Sequence, residues 1–73
     1  MKRFYVSIYL NNDAKKYFFC ESDGKYLLSA RKNDRKVFYL ENKIPGELMK
    51  EIKDELSKDG YIIDEIKVNK DSL

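Results

Sequence analysis

The most reactive side chain in the sequence is that of its single cysteine, Cys20, which lies in the apolar run KYFFCE. A cysteine can act as a nucleophile, bind a metal or carry a lipid, or it can simply occupy a strand. The chain has no histidine, so the usual base that activates a cysteine nucleophile is absent. Structural zinc needs several Cys or His ligands, and a lipoprotein signal would need small residues before the cysteine. We therefore expect Cys20 to be an inert strand residue.

Acidic residues are the next candidates, because paired carboxylates can bind Mg²⁺ or act as acid and base. Glu21 and Glu41 are expected to flank Tyr26 in one row of the sheet, where no third acid joins them. Asp64 and Glu65 are neighbours in a predicted strand, so their side chains point to opposite faces. Each glycine falls at a predicted turn or helix end, and none belongs to a phosphate-binding loop. We therefore predict a protein that is not an enzyme, with no catalytic residues, no metal and no cofactor.

The composition indicates one small folded domain spanning residues 1–73. Hydrophobic residues make up 42% of the chain and charged residues 38%, while aromatic residues, at 14%, supply large side chains for a core. The net charge of +2 is too small to indicate nucleic-acid binding from bulk charge alone. Phe, Tyr, Met, Ile, Asn and Lys account for 35 of the 73 residues. These residues have AT-rich codons, which are typical of low-GC bacteria and their phages.

The sequence predicts a cytoplasmic location. Residues 1–10 begin with basic residues, as a signal peptide does, but their apolar residues alternate with Tyr and Ser and no small-residue cleavage site follows. No apolar run approaches the roughly 18 residues that a membrane-spanning helix needs. A single cysteine cannot form an internal disulfide, which is typical of a protein in a reducing compartment.

The first forty residues have the pattern of an antiparallel meander. Apolar and polar residues alternate at the start of the chain, as in a half-buried strand. Asp23 and Gly24 form the strongest short hairpin signal, because both central residues of a type I′ turn need positive φ. Asn33 and Asp34 are expected to form a second two-residue turn. Strands are predicted at residues 3–10, 16–21, 25–31 and 36–41.

A change of period after these strands predicts a helix and then a fifth strand. Pro45 suits the first turn of a helix, and Gly60 suits a helix stop. Between them lie apolar residues at helical spacing: Leu48, Met49, Ile52 and Leu56. Residues 61–68 return to strand character, and 69–73 are expected to form a frayed tail. We therefore predict an α+β fold in the order ββββαβ, namely a four-stranded antiparallel meander, one helix on one face, and a fifth strand antiparallel beside the first.

The hairpin registers assign side chains to two faces of the sheet. Around the Asp23–Gly24 turn, Phe19 is expected to pair with Leu28. Around the second turn, Leu28 is expected to pair with Tyr39. The core face, which the helix covers, then carries Phe4, Val6, Ile8, Tyr17, Phe19, Tyr26, Leu28, Ala30, Val37 and Tyr39. The opposite face, the side of the sheet away from the helix, then carries Arg3, Tyr5, Ser7, Tyr9, Lys16, Phe18, Cys20, Leu27, Ser29, Arg31, Lys36, Phe38 and Leu40.

The opposite face is the predicted site of function, because one helix covers only one side of a sheet and exposed apolar patches mark interaction sites. The alternative is that the sheet curls, or that one loop shifts register, and buries these residues internally. We predict a small non-catalytic protein that binds another protein, such as a phage or mobile-element inhibitor of a host enzyme or defence complex. Its expected contact residues are Tyr5, Tyr9, Lys16, Phe18, Arg31, Lys36 and Phe38.

Single-stranded DNA or RNA is the alternative partner for this face, with bases stacked on the aromatic rings and phosphates bound by Lys and Arg. The lack of acidic residues on the predicted face favours nucleic acid, while the modest net charge argues against it. A homodimer closed through the same face is compatible with either role. No membrane partner is predicted, because the helix mixes acidic and basic residues.

Overall fold

The computed structural model describes residues 1–11 and 13–71, and its elements follow the predicted order ββββαβ. The strands are β1 (Lys2–Leu10), β2 (Lys16–Ser22), β3 (Lys25–Ser29), β4 (Phe38–Leu40) and β5 (Ile63–Lys70). The helix α1 spans Gly46–Lys58, and a short 3-10 helix, Lys32–Asp34, separates β3 from β4. All five strands join one sheet. The predicted α+β fold, with an antiparallel sheet, one helix and a fifth strand, is confirmed.

β1 is the central strand, and it is paired along both of its edges. On one edge it pairs with β5 from Phe4 to Leu10. On the other edge it pairs with two strands in succession, β2 opposite residues 7–9 and β4 opposite residues 2–4. All of these ladders are antiparallel. The fifth strand therefore lies antiparallel beside the first, as the sequence predicts.

The β2–β3 hairpin has the turn that its Asp-Gly pair predicts. Asp23 has a φ of 52° and Gly24 a φ of 76°, so both turn residues adopt the left-handed conformation of a type I′ turn. Phe19 pairs with Leu28 across the hairpin, and the predicted register is confirmed. Because side chains alternate along a strand, this register places Phe19 on the core face and Cys20 on the opposite face.

The predicted pairing of β4 with β3 is wrong. β4 pairs with the start of β1 instead, with Tyr39 opposite Arg3 and Phe38 opposite Phe4. Phe38 and Leu40 therefore pack against the core, in the positions expected for Val37 and Tyr39, and Tyr39 is 59% exposed. The physical reason is that residues 30–37 do not make a tight turn but cross the sheet, so no hairpin fixes the register of β4.

The core lies between α1 and the core face of the sheet. Ile52 and Leu56 on α1 are fully buried, as are Val6 and Ile8 on β1, and the full set of buried core residues is Phe4, Val6, Ile8, Phe19, Ile44, Ile52 and Leu56. The Phe19 ring lies 4.9 Å from the Tyr26 ring, edge to face, and 6.0 Å from the stacked Phe38 ring. Full burial of one such side chain contributes about 1.5–3 kcal/mol, so these few bulky residues dominate the stability of the fold.

α1 matches its predicted position, and Pro45 is its N-cap residue. Leu48 and Met49 of the predicted stripe are partly buried against the core. Glu47 lies in the first turn and Lys58 in the last, where their charges complement the helix dipole. The helix has 13 residues. Within the described part of the chain, no helix has the length and apolarity needed to cross a membrane.

The predicted fraying of residues 69–73 is wrong for the residues that the structure describes. Asn69 and Lys70 are the last residues of β5, and the backbone amide of Asp71 donates to the Arg3 carbonyl at 2.8 Å. Asp71 is also buried. The ladder continues this far because β1 begins at Lys2 and offers backbone partners to the end of β5. Residues 72 and 73 lie outside the described residues.

Candidate binding face

The opposite face is partly covered by residues 30–37, which we call the crossing segment. This segment leaves β3, passes over β2 and joins β4 beside β1. The Lys36 amide donates to the Phe19 carbonyl of β2 at 2.8 Å. At its other end, Ser29 Oγ donates to an Asp34 carboxylate oxygen at 2.6 Å and accepts from the Arg31 amide at 3.1 Å. The crossing segment is therefore tied to the sheet at both ends by hydrogen bonds.

The crossing segment buries side chains that the sequence predicts to be exposed. Tyr5, Phe18 and Cys20 are each only 8% exposed, and Ser7 is fully buried. The Tyr5 and Phe18 rings lie 6.0 Å apart, so they form one aromatic pair beneath the segment. The sequence leaves two alternatives for this face, exposure to solvent or internal burial. The centre of the opposite face is buried. The element that covers it is the crossing segment, and not a curled sheet or a shifted register.

Every residue of the crossing segment from 31 to 36 is polar or charged, and four of these six residues are basic. The cations of this segment lie over the ring that it buries: Lys32 Nζ is 5.3 Å and the Arg35 guanidinium 5.6 Å from the Tyr5 ring centre. A cation over an aromatic face is attracted by the ring quadrupole. The segment thus contacts an apolar surface with the stems of its basic residues and keeps their charges near solvent.

The same arrangement recurs across the opposite face. Lys16 lies 5.6 Å from the Phe18 ring centre, Lys67 5.5 Å from that of Tyr9, and Arg3 5.7 Å from that of Tyr39. With Lys32 and Arg35, five cations therefore lie over four aromatic rings on this side of the sheet. The opposite face is consequently a positively charged surface whose aromatic faces are already occupied by cations of the same chain.

Asp71 joins two of these cations in an ion-pair cluster, Arg3–Asp71–Arg35, which we call the Asp71 clasp. Arg35 donates to both Asp71 carboxylate oxygens at 2.9–3.2 Å, and Arg3 is paired with the carboxylate at 2.9 Å. The Asp71 side chain is 2% exposed, against 22% for Arg3 and 19% for Arg35. Arg3 Nε is buried without a hydrogen-bond partner among the described residues. Because two guanidinium groups share one carboxylate, the clasp retains a net positive charge.

The predicted contact residues do not form one exposed patch. Tyr5 and Phe18 are buried beneath the crossing segment, and Phe38 is partly buried against the core on the other side of the sheet. Lys36 is half-buried and paired with Glu21 at 2.8 Å. Tyr9 is half-buried beneath Lys67, and the predicted contact residues that are fully exposed are Lys16 and Arg31.

Sequence reasoning missed several residues of this face, namely Arg3 and Asp71 of the clasp, Lys32, Arg35, Tyr39 and Lys67. The sequence predicts Arg3 on this face but not among the contact residues. One signal was available, because positive charge is concentrated in the first part of the chain. Residues 1–40 contain nine basic and four acidic residues, whereas residues 41–73 contain six basic and nine acidic. The charge asymmetry, more than the net charge, indicates a polarised surface.

Acidic residues gather on the other side of the hairpin, in a groove of about 490 Å³ between β2, β3 and α1. Its carboxylates are Glu21, Glu51, Glu55 and Asp59. Burial, followed by the negative charge of Glu51, raises the pKa of Tyr26 in this groove. Glu41 follows β4, which pairs with residues 2–4 of β1 and not with β3, so it does not flank Tyr26 in one row with Glu21. Among the described residues, no group of three metal-binding side chains is present.

Cys20 has the environment of an unreactive thiol. Burial raises its pKa above the ordinary value, and the negative charge of Asp34 raises it further. Because only the thiolate attacks thiol reagents, a raised pKa leaves less of the reactive form at any given pH below it.

We expect Cys20 of the folded protein to react with a disulfide reagent at mildly alkaline pH much more slowly than it does in urea. The measurement is the release of the coloured thiol over time, with the urea-unfolded chain as the control for full reactivity. Equal rates in both conditions would contradict both the burial of Cys20 and the cover provided by the crossing segment.

Compared with known proteins, the chain matches no family model, no curated protein and no solved structure.

Proposed function

We propose that this protein is a small non-catalytic binder that docks on an acidic surface of another protein through its opposite face. The observation that carries the proposal is the layer of five cations over the aromatic rings of this face: Arg3, Lys16, Lys32, Arg35 and Lys67. Three acidic residues lie near these five cations and each is already engaged: Asp71 is held in the clasp, Glu65 is paired with Lys67 at 3.2 Å, and Asp34 accepts a hydrogen bond from Ser29. Electrostatic complementarity of this kind guides protein association and selects the partner.

Direct stacking of nucleic-acid bases is less well supported by this geometry. Base stacking needs an accessible ring face, and Tyr5 and Phe18 are buried. The Tyr9 ring has Lys67 over it. Single-stranded nucleic acid stays the second candidate because of one residue: Tyr39 is 59% exposed, so a base can reach its ring although the Arg3 guanidinium lies over it.

The finer hypothesis is that the partner is a host enzyme or a defence complex and that binding inhibits it. Its support is compositional: a short chain rich in residues with AT-rich codons is typical of phages and mobile elements. An inhibitor needs no catalytic residues of its own, because occupying a functional surface of the partner is sufficient. The location that best accords with this hypothesis is the bacterial cytoplasm.

The proposal predicts that reversing two charges of the opposite face weakens partner binding at least about tenfold, as loss of interface charges does. The variant is Lys16→Glu with Arg31→Glu, because both residues are exposed. The matched control is Lys50→Glu with Lys53→Glu, which makes the same charge change on the exposed side of α1. Proteins captured from a lysate of a low-GC bacterium by the immobilised chain are identified, and the affinity of each variant for the captured protein is then measured.

Fluorescence anisotropy of short labelled single-stranded DNA and RNA, at low and at near-physiological salt, distinguishes the two candidates. A protein binder gives no oligonucleotide binding at either salt concentration, and its captured partner is lost only with the opposite-face variant. Tight oligonucleotide binding that falls steeply with salt would instead assign the face to nucleic acid. Equal loss of the captured protein with both variants would show that net charge, and not this face, determines binding.

A further inference from the structure

The outer edge of β5 is open. Among the described residues, β5 pairs only with β1, so one side of this eight-residue strand lacks strand partners. An unpaired strand edge presents a row of backbone N–H and C=O groups that can pair with another chain. β5 is the longest strand in the sheet after β1, and its open edge is therefore the largest of this kind in the described structure.

The direction of the backbone groups can be derived from the ladder between β1 and β5. The Asp71 amide donates to the Arg3 carbonyl, and backbone groups in an antiparallel strand point alternately to its two sides. Residues in phase with Asp71, such as Asn69 and Lys67, therefore direct their backbone groups toward β1. Ile66 and Val68 direct theirs outward, where they are available to a second strand.

The charges of β5 are ordered in a way that makes the strand complementary to itself. Asp64 and Glu65 precede Ile66, whereas Lys67 and Lys70 follow it. If a second copy pairs antiparallel with a two-fold axis at Ile66, each Glu65 lies opposite Lys67 of the second copy. Opposite charges at directly facing positions stabilise a strand pair, and like charges destabilise it. The two neighbouring registers that use the same outward backbone groups have their axes at Glu65 and at Lys67, and each places two like-charged side chains against each other.

The apolar side chains of β5 support the same register. Ile66 is half-buried and packs against the core, and Val68 is 43% exposed on the same face, because it pairs with Val6. A second copy centred on Ile66 brings the two Ile66 side chains together and extends the core face across the edge. The acidic and basic residues of β5 then lie at the ends of the contact, or on the opposite face.

We propose that the protein forms a two-fold homodimer in which β5 pairs antiparallel with β5 of a second copy, centred on Ile66. The two sheets become one continuous sheet, and the opposite faces of both copies lie on the same side of it. This inference does not depend on the proposed partner, since it uses an edge of the sheet and not its positively charged face. It would give the dimer two copies of that face for one partner or for two.

The test uses two single charge reversals, Glu65→Lys and Lys67→Glu. Both side chains are about half exposed, so we expect each variant to fold, which far-UV circular dichroism checks. Sedimentation equilibrium is expected to give twice the 8.7 kDa mass for the unmodified chain. Each single variant places like charges opposite each other at both contacts. We therefore expect it to raise the dissociation constant of the dimer about tenfold.

Mixing the two single variants is the decisive step. In a mixed dimer the reversed charges face each other as opposite pairs, while the Glu65–Lys67 ion pair within each chain stays broken. Recovery of the dimer mass on mixing therefore reports pairing between chains alone. A monomer at every concentration of the unmodified chain would overturn the proposal, as would a dimer that neither single variant weakens.

Discussion

Replacing Asp71 by Asn is expected to lower the free energy of unfolding by about 2–3 kcal/mol. The substitution removes the negative charge that two guanidinium groups share, while Arg3 and Arg35 stay close together. Breaking a fully buried ion pair by removing one partner costs about 3–5 kcal/mol. We expect less here because the two arginines are about one-fifth exposed, so water can stabilise part of their charge. Urea-induced unfolding, followed by tyrosine fluorescence, measures the change.

The matched control is Glu55→Gln, which also removes one carboxylate from an ion pair. The Lys58–Glu55 pair is 3.3 Å long and solvent-exposed on both sides, and such pairs contribute at most about 1 kcal/mol. The Cys20 thiol supplies a second measurement, because loss of the Arg35–Asp71 bonds loosens the crossing segment above it. We expect Asp71→Asn to increase the labelling rate of Cys20 and Glu55→Gln to leave it unchanged. Equal stabilities of the two variants would mean that the clasp does not hold the crossing segment.

The parts of the fold that the sequence predicts correctly are those with a local cause. The Asp23–Gly24 turn fixes the β2–β3 register, because its two positive φ values are compatible with a single hairpin geometry. The position of α1 follows from Pro45 and from apolar residues at helical spacing, of which Ile52 is fully buried. In each case the residues that carry the signal lie within a few positions of the structure they determine.

The register of β4 could not be predicted, because its sequence has no alternation. Residues 37–40 read Val, Phe, Tyr and Leu, so either set of alternate residues could face a core. The segment before β4 is entirely polar from residue 31 to 36, and its length allows either a hairpin or a crossing of the sheet. Whether β4 pairs with β3 or with β1 depends on the edge of β1 beside residues 2–4. That edge exists only in the assembled sheet.

The Asp71 clasp could not be predicted from local sequence patterns either. Asp71 lies in the polar stretch NKDS, which is typical of a mobile tail. Its partner Arg3 is at the other end of the described chain, and its partner Arg35 lies in the crossing segment. Only the β1–β5 ladder, which extends to the Asp71 amide, brings the three residues together. Burial of the aromatic residues under the crossing segment also depends on contacts between separate elements, such as the Lys36–Phe19 hydrogen bond, and the predicted exposure of the opposite face is therefore wrong at its centre.

The register of β4 can be tested by comparing two substitutions, because Phe38 and Tyr39 are neighbours on opposite faces and each serves as the control for the other. Phe38→Ala is expected to lower the free energy of unfolding by about 1–3 kcal/mol, since truncation removes the contacts of a partly buried ring that packs against the core. Phe38 stacks on Phe19 at 6.0 Å and packs against the core. Tyr39→Ala should cost less than about 1 kcal/mol, because that side chain is 59% exposed and loses mainly its contact with the Arg3 guanidinium.

Both variants are compared with the unmodified chain by urea-induced unfolding under identical conditions. The β-strand preference of the backbone is changed in the same way in each, since an aromatic residue becomes Ala in the same short strand. The difference between the two variants in free energy of unfolding therefore reports which face each side chain occupies. A larger loss for Tyr39→Ala would place β4 beside β3 in the hairpin register, and the crossing segment could then not cover Tyr5, Phe18 and Cys20. The two substitutions thus test whether the centre of the opposite face is closed, on which the choice between a charged docking surface and an aromatic one depends.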